Sequence, residues 1–210
     1  DSVICLGDFV GYGAQPNQVL DTMRTLRGKK IYIRGNHDRV AAGLDDANGF
    51  NHAAKAAALW TREHLSAPNR RFLRELAVGP RMHHEAMLCH GSPYDEDEYV
   101  FNVHHAAQIL ALYPSKFILF GHTHLPAVFS IDPDMNVRGF AVRQDANVRL
   151  EKNLRYLINP GSVGQPRDRN PHASCIIIDT DKPSVQFFRV EYDVAKTQST
   201  ILKAGLPEIL

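Results

Sequence analysis

Five short apolar runs in this chain each end in a glycine-associated polar cluster. Val3–Leu6 runs into Gly7-Asp8, and Ile31–Ile33 into Gly35-Asn36-His37-Asp38. Ala86–Cys89 delivers His90-Gly91, Phe117–Phe120 delivers Gly121-His122-Thr123-His124, and Arg155–Ile158 delivers Asn159-Pro160-Gly161. An apolar run with no polar face reads as a strand buried on both sides. In open α/β sheets, ligands gather outside the carboxyl ends of the strands. The pattern therefore predicts an α/β chain whose site is assembled from loops far apart in sequence.

The residue types at these endings define the chemistry. Asp, Asn and several His, with no cysteine among them, form a mixed oxygen and nitrogen donor set. Such a set suits manganese, iron, zinc or nickel better than calcium, which takes oxygen cages, or structural zinc, which favours thiolates. If the chain stays extended beyond Gly121, His122 and His124 point to the same side, roughly 6–7 Å apart at their bases. That spacing offers one imidazole to each of two neighbouring ions. A carboxylate can bridge two ions, and a pair about 3.5–4 Å apart suits in-line displacement at phosphorus by an activated water.

Composition excludes other classes. Charged residues make up 22% of the 210 and the net charge is +1, so no bulk pull toward nucleic acid or a membrane surface is expected. No basic stripe with interleaved aromatics is present. No apolar run approaches membrane-spanning length, and no signal-like start is present. Cys5, Cys89 and Cys175 each lie within an apolar run, which predicts buried free thiols and a reducing, cytoplasmic setting. The eleven histidines are the compositional oddity, and they point to metal.

Between the strand endings, Pro16 opens a helix with Val19, Leu20, Met23 and Leu26 on one face. Asn51–Leu65 is Ala-rich and helical by propensity, and a shorter helix carries Phe72, Leu73 and Leu76. These helices, with the loop before them, are expected to form an insertion around 40–78. Met82–Leu88 predicts a hairpin turning at His84-Glu85, Val103–Tyr113 a helix, and Val194–Leu206 a short helix. Strands are expected at Ala127–Ile131, Val137–Val142, Ser174–Ile178 and Val185–Tyr192. His52, His64, His83, His84, His104, His105 and His172 are expected to be surface or core residues, and the acidic run Asp95–Glu98 a solvated loop.

The motifs Gly7-Asp8, Gly35-Asn36-His37-Asp38, His90-Gly91 and Gly121-His122-Thr123-His124, in this order, resemble those of the calcineurin-like metallophosphoesterase superfamily. The stretches from Gly7 to Gly13 and from Asn159 to Arg167 are similar to its small bacterial and archaeal phosphodiesterase branch. The resemblance spans roughly Asp1 to Val190 and implies one domain over 1–210: a mixed two-sheet β-sandwich flanked by helices, four layers in the order αββα. It implies that Asp8 bridges two divalent ions, manganese first among the candidates. Asn36, His90 and His122 would bind the second ion and His124 the first. His37 would act on the leaving group or the phosphate, oriented by Asp38. Arg39 and Arg167, with the Asn159-Pro160-Gly161 turn, are the residues expected to meet the substrate.

The family's first motif, an Asp-x-His ending an N-terminal strand, does not precede Asp8, and it is expected upstream of Asp1 in the parent protein. The expected function is hydrolysis of a phosphodiester or phosphomonoester, with a small or nucleotide-type ester as substrate and a homo-oligomer left open. Two rivals share the fold: a protein-binding scaffold without catalysis, and a phosphoprotein phosphatase.

Overall fold

The computed structural model describes residues 1–210 as two compact units. The first comprises Asp1–Val78 and Asp193–Leu210, and the second Gly79–Tyr192. No helix is long and apolar enough to cross a membrane.

The first unit is mainly helical. Strands β1 (Ser2–Cys5) and β2 (Lys29–Tyr32) pair in parallel, joined by helix α1 (Pro16–Thr25). Pro16 stands at the first turn of α1, where a missing N–H costs no helical bond. Leu20 is fully buried and Met23 half-buried, whereas Val19, expected on the same face, is 42% exposed. One step of about 100° carries it off the Leu20–Met23 stripe. Helix α2 (Asn36–Ala41) starts directly after β2, so the Gly35–Asp38 motif is a strand-to-helix turn. Helices α3 (His52–His64) and α4 (Ala67–Glu75) occupy the region expected as an insertion, capped by the Asn51 and Ser66 side chains. Phe9, Val10, Leu20, Ala41, Ala42, Leu65 and Leu73 form the core of this unit. The C-terminal helix, Val194–Lys203, contributes Ile201 to a smaller cluster with Ala57 and Trp60.

The second unit is built on a six-stranded mixed sheet. The predicted hairpin is present as β3 (Arg81–His83) and β4 (Ala86–Leu88), with His84 left-handed at the turn. β5 (Phe117–Leu119) is buried throughout, as its unbroken apolar run requires. β6 (Ala127–Ile131) and β7 (Val137–Ala141) are antiparallel partners, and β6 also pairs antiparallel with the later strand Arg155–Asn159. A separate three-stranded antiparallel sheet holds β8 (Ala146–Arg149), which the sequence reading did not anticipate. With Arg155–Asn159 numbered β9, the other two strands of that sheet are β10 (Ala173–Asp179) and β11 (Ser184–Val190). Helix α5 (Val103–Leu112) seats Ala106, Ile109 and Leu110 in a core with Ile118, Phe120, Phe129 and Leu157.

All three cysteines are free. Cys89 is buried and Cys5 half-buried, but Cys175 is exposed, contrary to expectation. Alternation along β10 turns Ser174, Ile176 and Ile178 toward the interior and Cys175 and Ile177 toward solvent. Burial pushes the Cys5 thiol up to about 12, reinforced by the nearby Asp38 and Asp8 carboxylates, and it pushes the Cys89 thiol up as well. Neither is a nucleophile near neutral pH.

Candidate metal centre and active site

In the first unit the endings of β1 and β2 meet. Gly7 approaches so closely that a Cβ built on it would lie 2.4 Å from the Gly35 nitrogen. Asp8, immediately after, adopts φ 56°, and its Oδ1 accepts the backbone N–H of His37 at 2.9 Å. Asp38 is fully buried and accepts two more backbone N–H groups, from Gly35 at 3.1 Å and Val10 at 3.3 Å. The first of these reaches back to the residue capping α2, as an acidic side chain at the third helical position does in a capping box. The second ties the loop after β1 to the start of α2.

That loop presents the carbonyl of Gly11 to Nδ1 of His37 at 3.2 Å. A carbonyl only accepts, so Nδ1 carries the proton, and the neutral ring has its lone pair on Nε2. Asp38 thus bonds the backbone at Gly35 and Val10, and the His37 ring meets the Gly11 carbonyl of the same loop. The rings of Tyr12 and Phe50 lie on the imidazole, with centroids at 4.0 and 4.6 Å. His37 is 2% exposed. Asn36 is buried beside it at the first position of α2. Arg39 turns its Nε to Asp45 at 3.0 Å.

In the second unit three parallel strand ends stand side by side. β4, β5 and β9 are adjacent, and their ladder continues past the strands: Cys89 N–H donates to the Leu119 carbonyl, Phe120 to Ile158, and Gly121 to His90. This brings His90, the His122–His124 turn and Asn159 to one edge. His122 Nδ1 lies 3.2 Å from His90 Nε2, and both residues are buried. The backbone does not stay extended past Gly121, so the condition under which His122 and His124 would point to the same side of a strand is not met. His122 and His124 adopt φ 59° and 58°, and Thr123 N–H folds back onto the Gly121 carbonyl. The two histidines thus leave the strand end through left-handed turns rather than as alternate residues of one strand.

Asn159 lies beneath this turn, fully buried, with Nδ2 donating to the Gly121 carbonyl at 2.8 Å and to Thr123 Oγ1 at 2.9 Å. Its Oδ1 accepts Gly161 N–H at 2.8 Å. With both donors engaged, Asn159 braces the loop instead of facing a ligand. Gly161, at φ 86°, is packed against Pro126 and Ser174. Arg167 turns its guanidinium to the Gln165 side chain.

Replacing Asn159 by Ala is expected to cost about 1–3 kcal/mol, because Gly161 N–H loses a buried acceptor. Replacement by Asp should cost more, since it aims a carboxylate at the Gly121 carbonyl. Urea midpoints of the two variants check that order.

The donor chemistry fits divalent transition ions. His124 Nδ1 lies 2.7 Å from the Gln165 carbonyl, which fixes the proton there and puts the lone pair on Nε2. Metal-ligating histidines are commonly held by such a second bond. Two buried imidazole nitrogens 3.2 Å apart, His90 Nε2 and His122 Nδ1, also suit ligation. The sequence reading did not single out Tyr12, Phe50, Tyr99 or Gln165. Of these only Tyr12 had a local signal, its place between Gly11 and Gly13.

Comparison with known proteins agrees with this geometry. Residues 1–183 match the calcineurin-like phosphoesterase superfamily domain. The chain is 33% identical over 218 aligned positions to an uncharacterised protein of Methanocaldococcus jannaschii, covering 99% of this chain and 83% of that one. The crystal structure of a metallophosphoesterase from Sphaerobacter thermophilus superposes with a TM-score of 0.82 at 36% identity, covering 100% of this chain and 85% of the other. A hypothetical protein from Pyrococcus horikoshii, at 22% identity and TM-score 0.76 over 99% and 81% of the two chains, shares the fold. With its motifs in order, its mixed α/β fold and a donor set suited to divalent ions, the chain belongs to the calcineurin-like phosphoesterase superfamily, a group of metal-dependent hydrolases.

Proposed function

We propose that this chain hydrolyses a small phosphodiester or phosphomonoester at a two-metal site, using the residues that its sequence motifs bring forward. Following the motifs, Asp8 supplies a carboxylate, Asn36 an amide oxygen, and His90 and His122 imidazoles to one ion, with His124 an imidazole for the other. Divalent ions bound there would polarise the phosphoryl oxygens and lower the pKa of a water, with manganese the first metal to try. As the imidazolium, with Nδ1–H kept on the Gly11 carbonyl, His37 would give its Nε2 proton to the departing oxygen as the P–O ester bond breaks and water adds at phosphorus, leaving the neutral ring. The tyrosine and phenylalanine rings on its faces and the Gly11 carbonyl hold the imidazole in place. Free cysteines accord with a reducing, cytosolic setting.

The observation that carries this reading is backbone conformation. Asp8, His122 and His124 all have φ between 56° and 59°, a region that disfavours side chains with a Cβ. Such residues cost about 1–3 kcal/mol each and cluster at active sites and ligand clamps. Here they coincide with three of the five residues assigned to metal.

The test is turnover of bis(p-nitrophenyl) phosphate by the protein, with bound metal measured by mass spectrometry. Chelation should abolish turnover and manganese should restore it. His122→Ala should lose both metal and activity. A folded protein that takes up manganese and hydrolyses neither this ester nor a phosphopeptide would fit the scaffold alternative and end the proposal.

A further inference from the structure

Beside His122, in the second unit, lies a pair of aromatic side chains that the proposed reaction does not use. The Tyr99 ring rests on the His122 imidazole, with centroids 4.0 Å apart. Phe101 stacks on Tyr99 almost in parallel, at 5.2 Å and 6°. The rings are also open to solvent: Tyr99 is 39% exposed and Phe101 56%. Single exposed hydrophobic residues are ordinary on protein surfaces. A parallel pair continuous with a candidate metal ligand is a different arrangement.

The pair is also fixed in place. Val100, between the two, is 2% exposed and belongs to the core of the unit with Phe120 and Ile109. Such alternation turns Tyr99 and Phe101 to the opposite side from Val100. Directly after Phe101, Asn102 caps α5 by accepting the His105 N–H at 3.0 Å. A core anchor and a helix cap thus hold the segment on both sides, so the rings are presented without an ordering cost on binding.

We propose that Tyr99 and Phe101 form a stacking platform for a planar aromatic ring carried by the phosphate ester. This rests on the phosphoesterase reading, in which the phosphate sits by His122, and it adds the class of group attached to that phosphate. Tyr99 spaces the platform from the imidazole, and Phe101 offers the more open π-face. Stacking is tolerant of ring identity, because every base or aryl group has a π-face. A nucleobase and an aryl alcohol are therefore two sources of the same chemistry. No charged group is required for this contact, in keeping with an ester whose charge is confined to its phosphate.

The experiment compares three phosphodiesters with the manganese-loaded protein, followed by phosphorus NMR. Adenosine 5′-(methyl phosphate) carries a base, bis(p-nitrophenyl) phosphate carries aryl groups, and glycerophosphoethanolamine carries no ring. In Phe101→Leu, which keeps an apolar side chain and loses the π-face, the kcat/KM ratio of ring-bearing to ring-free ester should fall about tenfold, mostly through KM. Phe101→Trp should restore it. The ester that carries the loss identifies the source of the ring. Ratios that do not change, or a parallel loss for all three esters, would overturn the platform.

If the wild-type protein hydrolyses none of the three, the reaction assignment fails, and the platform is judged by binding alone. AMP should then bind about tenfold more tightly than ribose 5-phosphate in calorimetry, and Phe101→Leu should remove the difference. Equal affinities in the wild-type protein would refute it.

Discussion

Replacing His37 by Ala is expected to lower kcat by about 10²–10⁴-fold for an ester with an alkyl leaving group, the span that positioned acid catalysis supplies. The loss should be far smaller for bis(p-nitrophenyl) phosphate, because a nitrophenolate departs without needing a proton. The expectation follows from how the ring is held. Nδ1 faces the Gly11 carbonyl at 3.2 Å, so it must keep its proton in either charge state. Only Nε2 can alternate between holding and releasing one, and the flanking Tyr12 and Phe50 rings restrict the imidazole to that presentation. Metal content should be unchanged in this variant, which separates proton delivery from ion binding. Equal losses for both esters would assign His37 to positioning the phosphate instead. Wild-type rates on both would remove it from the chemistry altogether.

Tyr12 and Phe50 show where sequence reading stops. They lie 38 positions apart and meet on a histidine that neither adjoins, and nothing in local pattern reports such a contact. The strand endings were legible for the opposite reason. β4, β5 and β9 are short, apolar and parallel, so each run that ends in a polar residue must deliver it to the same edge. His90, His122 and Asn159 were found on that basis. The turn they share was not. Few residues other than glycine turn left-handed, and the φ of 59° at His122 accompanies bonds from Asn159, 37 residues downstream, to the flanking Gly121 and Thr123.

Secondary structure follows the same division between local pattern and partner. α3 was plain from alanine content, and the β3–β4 hairpin from its central dipeptide. β8 has only four residues and one apolar side chain of any size, and it exists because β11 lies alongside it. Asn159 was expected to meet substrate because it ends a strand like the others. Its complete burial and filled hydrogen bonds make it the brace for residues that do project.

Gly7→Ala should be the most damaging glycine substitution in the first unit, destabilising the protein by about 4 kcal/mol or more. Two separate costs combine. Gly7 has φ 95°, where a Cβ is strained, at about 1–3 kcal/mol. The added carbon would also lie 2.4 Å from the Gly35 nitrogen, 2.7 Å from its Cα and 2.8 Å from the Arg34 carbonyl carbon. All three are backbone atoms, so no side-chain rotation relieves the overlap, and the two strand endings must separate. Separation pulls Asp8 from the His37 N–H and disturbs the Asp38 bonds to Gly35 and Val10, so activity should fall together with stability.

Two further glycines separate these costs. Gly28 has φ 88° and nothing within 4 Å of its Cβ position, so Gly28→Ala incurs the conformational cost alone, about 1–2 kcal/mol. Gly13 has neither a positive φ nor a neighbour in that range, and Gly13→Ala should fall within about 0.5 kcal/mol of wild type. Urea denaturation should rank the variants Gly13, Gly28, Gly7 in order of increasing loss. A Gly7→Ala protein as stable as Gly28→Ala would mean that the β1 and β2 endings are not in backbone contact. The Asp38 bonds to Gly35 and Val10 would then not depend on that contact.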